Sequence, residues 1–411
     1  MGQLRQLLHR RQIRRSADPI DDAWTDFNSG TEVGVIDSSL TVLPSGLFVD
    51  TPENTPYAAT PVSLRATDSY YGLYATDTFD ASAALAITAS ARYNIAEVDL
   101  KDRLGSDLSG INRYTHLNPS LGATDKLTAS LTAYAGYSTN NRAPTASEIE
   151  CSNPLEPCLL PSSLSGDPPN LKQVIAHTLE AGLRGRRTTA SGGRLGWNAG
   201  VFRTDLDNDI YGVSTSNGKG YFENIGATRR QGVEAGMKYQ GRRWSGYAEY
   251  SFIDATFCSP LTVSSPFNPH HDADGNIYVQ PGDQLPGIPR NRFKAGGEYT
   301  IRGGWSVGAS FVLVSTQYYH GDESNQNSPM PGYHVLTLRS SYRAGPHVEF
   351  FANLQNALDA RYATYGLFAD PTGAGAPGIP ANAGPNDPRV DNRFESPAAP
   401  RALFGGVRIT F

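Results

Sequence analysis

LAITASARYNI, residues Leu85 to Ile95, places Leu85, Ile87, Ala89, Ala91, Tyr93 and Ile95 at alternate positions, with Ala86, Thr88, Ser90, Arg92 and Asn94 between them. Successive side chains of an extended chain point to opposite faces, so this stretch makes a strand with one oily and one wet face. The alternation recurs in LTASLTAYAGY, where Leu127, Ala129, Leu131, Ala133, Ala135 and Tyr137 share one side. In RFKAGGEYTI, Phe293, Ala295, Tyr299 and Ile301 oppose Lys294, Glu298 and Thr300. In the last run, RALFGGVRITF, Leu403, Val407, Ile409 and Phe411 oppose Arg408 and Thr410. Charged residues thus fall in mid-strand on one face only, which the core of a soluble sandwich would not accept.

From about Ser69 onward the chain repeats this unit of run, turn and run. Short connections are expected at 80–83, 124–126, 240–243, 302–304 and 343–346, and long ones at 139–173, 258–290, 319–331 and 365–400. Loops of that length are unusual in a compact soluble domain but normal at one end of an outer-membrane barrel, whose other end carries short turns. The runs predict an all-β, antiparallel up-and-down transmembrane β-barrel of about 14 strands. Tyr93, Tyr137, Tyr239, Tyr250, Tyr299 and Tyr342 stand near strand ends, where an amphipathic ring suits the lipid–water boundary.

Composition agrees. Only 39% of the 411 residues are hydrophobic and no run approaches the roughly 20 apolar residues of a spanning helix, yet a barrel that alternates lipid-facing and lumen-facing residues has the same low hydropathy. A net charge of −5 without a basic patch excludes nucleic acid as the expected partner. The one basic run, MGQLRQLLHRRQIRR, contains too short an apolar segment for a signal-peptide core, so no export signal is read there. The expected organisation is a basic, disordered or non-native N-terminus over 1–25, an irregular loop or edge-strand region over 26–68, and the barrel over 69–411.

Catalytic chemistry has no foothold: no GxSxG elbow, HExxH pair or phosphate loop is present, so neither an enzyme nor a cofactor is expected. Cys151 and Cys158, close together in CSNPLEPC, are expected to close a surface loop as a disulfide in an oxidising compartment, leaving Cys258 free. His270, His271, Asp272 and Asp274 in NPHHDADGN are candidate ligand-binding residues, since imidazole and carboxylate suit divalent ions. Their DxDG spelling lacks the distant bidentate Glu of a calcium loop, so a polar turn is favoured and no metal site is assigned. Arg142, with Glu148 and Glu150, marks a loop entrance where it either meets an anionic ligand or serves as a rim charge. Asp205, Asp207 and Asp209 read as solvated turn residues. Arg92, Arg184, Lys238, Lys294, Arg339 and Arg408, set against Glu180, Glu234, Glu298 and Glu349, are expected to form ladders on the inner wall.

Four segments resemble TonB-dependent receptors. YAGYSTNNRAPTASEIECSNPLEPCLLP (Tyr134–Pro161) resembles the strand that enters a long external loop through "R-A-P". NIGATRRQGVEAG (Asn224–Gly236) is similar to that family's "N-x-G-x-x-R-x-x-G-V-E" strand, and LPGIPRNRFKAGGEY (Leu285–Tyr299) to its "P-x-x-P-x-H" segment, with Asn291 where His is common. NLQNALDARYATYG (Asn353–Gly366) resembles "N-L-x-D-x-x-Y", with Asn356 and Ala357 in place of the usual aromatic and the acid at Asp359. The resemblance implies an outer-membrane receptor that imports iron–siderophore complexes, cobalamin or similar solutes, energised through TonB where a plug domain is supplied. It also implies terminal Phe411 as the signal read by the barrel-assembly machinery. The family barrel has about 22 strands, so the expectation is a partial barrel, a truncated form, with a plug-less passive diffusion pore as the alternative.

Overall fold

The computed structural model describes residues 12–14, 41–42, 48–49, 64–103, 109–150, 158–159, 171–214, 219–301, 303–369 and 391–411. One antiparallel sheet of fourteen strands dominates, each strand paired with the next in chain order. Its strands are β1 (Gln12–Arg14), β2 (Leu64–Asp80), β3 (Leu85–Asp102), β4 (Gly110–Thr128), β5 (Leu131–Arg142), β6 (Val174–Thr188) and β7 (Arg194–Asp207). They continue as β8 (Thr228–Gln240), β9 (Trp244–Phe257), β10 (Asn291–Thr300), β11 (Trp305–Val314), β12 (Tyr333–Arg343), β13 (Val348–Gln355) and β14 (Ala402–Ile409). From β2 onward this is the up-and-down meander expected, with β1 and β14 at its two edges.

Connections alternate strictly. Short turns at 81–84, 129–130, 189–193, 241–243, 301–304 and 344–347 lie at one end, and 103–109, 143–173, 208–227, 258–290, 315–332 and 356–401 at the other. One expected turn is corrected: residues 124–126 lie inside β4, which continues to Thr128 and turns at Ala129 and Ser130 into β5, so Leu127 to Tyr137 is not a single strand. Asp205 and Asp207 likewise belong to the end of β7 and not to a loop.

Register carries the alternation across the sheet. Ala123, Ala135, Ala181, Val201, Val233 and Phe252 form one unbroken row over β4 to β9. A lower row joins Trp197, Met237, Ala248, Ala295, Phe311 and Leu336. Leu121 and Leu179 on the same face, and Val201 within the first row, are 56%, 58% and 55% exposed, so this face touches no protein layer. Such a continuous apolar surface far exceeds what a soluble monomer leaves open. At the short-turn end, Trp244 lies beside Tyr299 and Trp305 beside Tyr342 on the same face, a girdle of amphipathic rings.

The opposite face is polar. Ser90, Ser120, Ser138, Thr178, Thr204 and Arg230 line up across six strands, and Arg184, Asn198, Gly236, Glu249 and Lys294 across five. Of the expected inner charges, Arg339 pairs with Glu298 (3.4 Å) and Arg408 with Glu349 (3.2 Å), while Arg92 donates to Asn94.

The buried cores lie outside the middle of the wall. A strand of about ten residues crosses a bilayer, whereas β2, β3 and β4 have 17, 18 and 19 residues and so overshoot it at the long-loop end. There Val98 and Leu100 of β3 bury Ile149 of a short helix, α1 (Ala146–Glu150), with Tyr114 alongside. Two further clusters sit among the loops.

Candidate functional site

The long loops between β7 and β14 build their own hairpins: Ile210–Ser214 with Lys219–Asn224, Leu261–Ser264 with Asn276–Val279, and Ala363–Phe368 with Arg393–Pro397. Alternation inside these hairpins gives each an apolar side, and the apolar sides meet. Val213, Ile225, Phe257, Val263, Ile277, Val279 and Leu285 form one core joining loops 208–227 and 258–290 to the end of β9. Tyr319, Met330, Ala363 and Phe368 form a second, with Phe267 packed on it, joining loops 258–290, 315–332 and 356–401.

Between the two cores, Gly321 to Asn327 acts as a tie. Asp322 is fully buried and its carboxylate accepts from the backbone N–H groups of Gln326 and Asn327 (both 3.1 Å) and from Asn327 Nδ2 (2.9 Å). Asn268, in the neighbouring loop, donates Nδ2 to the Gly321 carbonyl (2.6 Å) and accepts on Oδ1 from Asn327 (3.0 Å). Ser265 Oγ donates to the same carbonyl (2.8 Å). Beside it, Glu323 Oε1 accepts from the Tyr211 hydroxyl (2.9 Å) and the Gly321 N–H (3.0 Å), while Oε2 is buried without a hydrogen-bond partner among the described residues. Burial, reinforced by the charge of Asp322, pushes the Glu323 carboxyl above its ordinary range. The same burial, with Glu323 opposite, pushes the Tyr211 hydroxyl up. Tyr319 donates to Glu395 (2.5 Å), and His320 stacks on Tyr365 with ring centroids 5.1 Å apart.

Arg142 forms part of a helix cap. Its Nη1 donates to Glu148 Oε2 (2.7 Å), which also accepts the Thr145 N–H (2.8 Å), while the Glu148 N–H donates to Thr145 Oγ1 (3.3 Å). That reciprocal pair is a capping box, and the "R-A-P-T-x-x-E" spelling starts α1. Asp272 is likewise committed to a turn. Its Oδ1 accepts from the N–H groups of Asp274 and Asn276 (both 2.9 Å), its Oδ2 from the Tyr278 hydroxyl, and Gly275 supplies the left-handed backbone at φ +81°. These hydrogen bonds hold the Asp272 carboxyl below its ordinary range. His270 donates its N–H to Asn268, and His271 Nδ1 lies against the Asp272 carbonyl. The structure therefore sets these four residues in one tight turn, and Arg142 in another loop. Among the described residues no group of three or more His, Cys, Asp or Glu side chains is placed to hold a metal. Cys151 lies outside the described residues, so the pairing with Cys158 does too; Cys258 is a free, half-buried thiol. Phe411 follows β14 at the short-turn end, fully exposed.

The family-like segments all fall where a strand meets a long loop. Asn224 bridges loops by donating to the Lys172 and Asn208 carbonyls (3.0 and 2.8 Å), and Arg230 reaches Asp209 (3.1 Å). Gly287 turns at φ +71° beneath His320. Asn356, at φ +46°, bonds both the N–H and the carbonyl of Ala360 (2.9 Å each), and Asp359 accepts from the Arg401 N–H (3.2 Å). Asp322, Glu323, Asn268 and Tyr211 were not singled out in the sequence, where nothing local marks them.

Several solved structures share this fold. The siderophore receptor PiuA from Acinetobacter baumannii superposes with a TM-score of 0.59 at 18% identity, over 87% of this chain and 46% of that one. The copper transporter OprC gives 0.60 at 19%, over 84% and 48%. The ferric-catecholate import receptor Fiu from E. coli K12 gives 0.57 at 18%, over 90% and 50%. The chain thus spans about half the length of the solved proteins it matches. The family model for the TonB-dependent receptor-like β-barrel matches residues 11–357. With that match, the lipid-exposed face and the alternating turns and loops, the chain belongs to the TonB-dependent receptor β-barrel family, forms part of such a barrel, and resides in the cell outer membrane.

Proposed function

We propose that this chain is the C-terminal barrel portion of an outer-membrane receptor that captures a scarce small ligand of the iron–siderophore or cobalamin kind on its external loops. The packed loop cap is the observation that supports this most. Loops that merely joined strands would not need two hydrophobic cores and a buried polar tie, whereas a recognition surface gains from loops held in one arrangement. Uptake would draw on TonB where a plug domain accompanies the barrel, and Phe411 would serve barrel assembly. A Cys151–Cys158 disulfide would constrain the loop after β5. Arg142, His270, His271, Asp272 and Asp274 would act by shaping loops.

Radiolabelled ferric catecholate, ferric hydroxamate, ferric citrate and cyanocobalamin, offered in turn to the full chain reconstituted in vesicles, test this reading. Saturable retention of one class, lost in Asp322→Ala, is expected. No retention of any of them, with a stable unit conductance in planar bilayers, would replace the receptor by a passive pore.

A further inference from the structure

The apolar belt is indented on the outward face of β4 to β7. The indentation is a groove of about 670 Å³ floored by Ala123, Ala135 and Ala181 and walled by Leu121, Tyr137, Leu179 and Val201. Its size is that of a site for one small apolar body. Small side chains in adjacent register make the floor, and the larger ones one step nearer the loops and on β7 make the walls.

The lip of the groove is Arg203, beside Leu179 in register. One step further out, Asp205 faces Arg229 on the same side of the sheet. Asp205 accepts from Arg203 Nε (2.8 Å) and Arg229 Nε (2.6 Å), so two guanidinium groups share one carboxylate. Their side chains stay 47% and 33% exposed, and Arg203 Nη1 and both Arg229 Nη atoms donate to no protein group among the described residues. Asp207 is engaged with His177 (3.5 Å) at the strand end, farther from the belt. Elsewhere on this rim Arg290 is matched one to one with Asp254 (2.8 Å). Hydrocarbon cannot satisfy open N–H donors, whereas a phosphate fits a guanidinium fork.

We infer that this groove and its arginine pair bind one phosphate-bearing acyl lipid of the outer leaflet, with an acyl chain along Ala123, Ala135 and Ala181 and the phosphate on Arg203 and Arg229. The excess of donors sits at the long-loop end, which faces outward in such barrels, and at the depth where the apolar belt gives way to charge. The inference rests on the outward assignment of this face and is independent of what the loops capture, so its failure would leave the receptor reading intact.

Native mass spectrometry of the full chain refolded in detergent, titrated with diphosphoryl lipid A, dephosphorylated lipid A and phosphatidylethanolamine, tests it. One diphosphoryl lipid per chain is expected, held about tenfold more tightly than the dephosphorylated form, the difference a charge-assisted contact makes. Arg203→Gln with Arg229→Gln should remove that preference while the strand circular dichroism is unchanged. Ala135→Leu with Ala181→Leu, which fills the floor, should weaken both lipid A forms. Should the arginine variant fold poorly, Asp205→Asn decides, because freeing both guanidinium groups should strengthen the phosphate preference. Equal binding of all three lipids, an arginine variant that behaves as wild type, or a second copy of the chain occupying the face would overturn the inference.

Discussion

At Glu323 two demands conflict. The loop tie needs an acceptor for Tyr211 and Gly321, yet the second carboxylate oxygen is buried without a partner among the described residues, beside buried Asp322 and near Tyr365. Desolvation raises the carboxyl above its unfolded value of about 4.3, so folding favours the protonated form. A raised acid contributes stability that is fully present below the unfolded pKa and is lost as pH climbs through the folded one. Hydrogen exchange of amides in 315–332 should therefore be slower near about pH 4 than near about pH 8, after correction for intrinsic rates. In Glu323→Gln, which keeps an acceptor and carries no charge, the difference should vanish and neutral-pH protection should rise. Equal corrected protection of the wild-type loop at both pH values would show that the carboxyl is not the strained group.

At the scale of elements, α1 shows why a rim arginine need not bind ligand. Arg142, Thr145 and Glu148 close the helix N-terminus, and the helix exists to place Ile149, which is fully buried, on Val98 and Leu100. Loss of the cap in Thr145→Ala should cost about 1 kcal/mol of local stability. Arg142→Gln should loosen the same amides, 146–149, and proteolysis of loop 143–173 should quicken in both variants. If Arg142→Gln instead left those amides protected and lowered ligand retention, Arg142 would be a recognition residue. Most strands were legible because a period of two survives in them, whereas β1, three residues within the segment expected to be disordered or non-native, carries no such pattern. The turn at Ala129 and Ser130 was not, since Leu127, Ala129, Leu131 and Ala133 keep that period straight through it and no Gly, Pro or Asn interrupts. The loop tie was illegible for another reason: Tyr211 and Glu323 are 112 positions apart and Asn268 and Asp322 are 54, so no local pattern records their meeting. The family-like segments were readable, and their role emerged only as geometry: Asn224, Gly287 and Asn356 fasten strand ends to loops.

For the whole molecule, everything turns on what the exposed apolar face touches. The meander has two edges, and backbone groups at an edge are unsatisfied in hydrocarbon, so β14 and the free length of β2 need strand partners in the bilayer. The belt itself is open to a direct test, because adjacent levels of neighbouring strands sample its two sides. Ala235 lies on the apolar face between Ala199 and Tyr250, midway along β8 between Gln231 at the charged rim and Tyr239 at the girdle. Ser251, one strand away, lies on the polar face beside Glu234. Lysine at either site removes little packing, so the two substitutions differ chiefly in what surrounds the new charge. Ala235→Lys should cost ~2–4 kcal/mol, the penalty for a cation at the bilayer midplane. Ser251→Lys, with Glu234 as neighbour and water in the lumen, should stay within about 0.5 kcal/mol of wild type. Urea titrations of the chain folded into lipid vesicles, followed by tryptophan fluorescence, give both values. Equal costs at the two positions would mean that the row from Ala199 to Tyr250 faces protein or water, and the outer-membrane placement would fall with it.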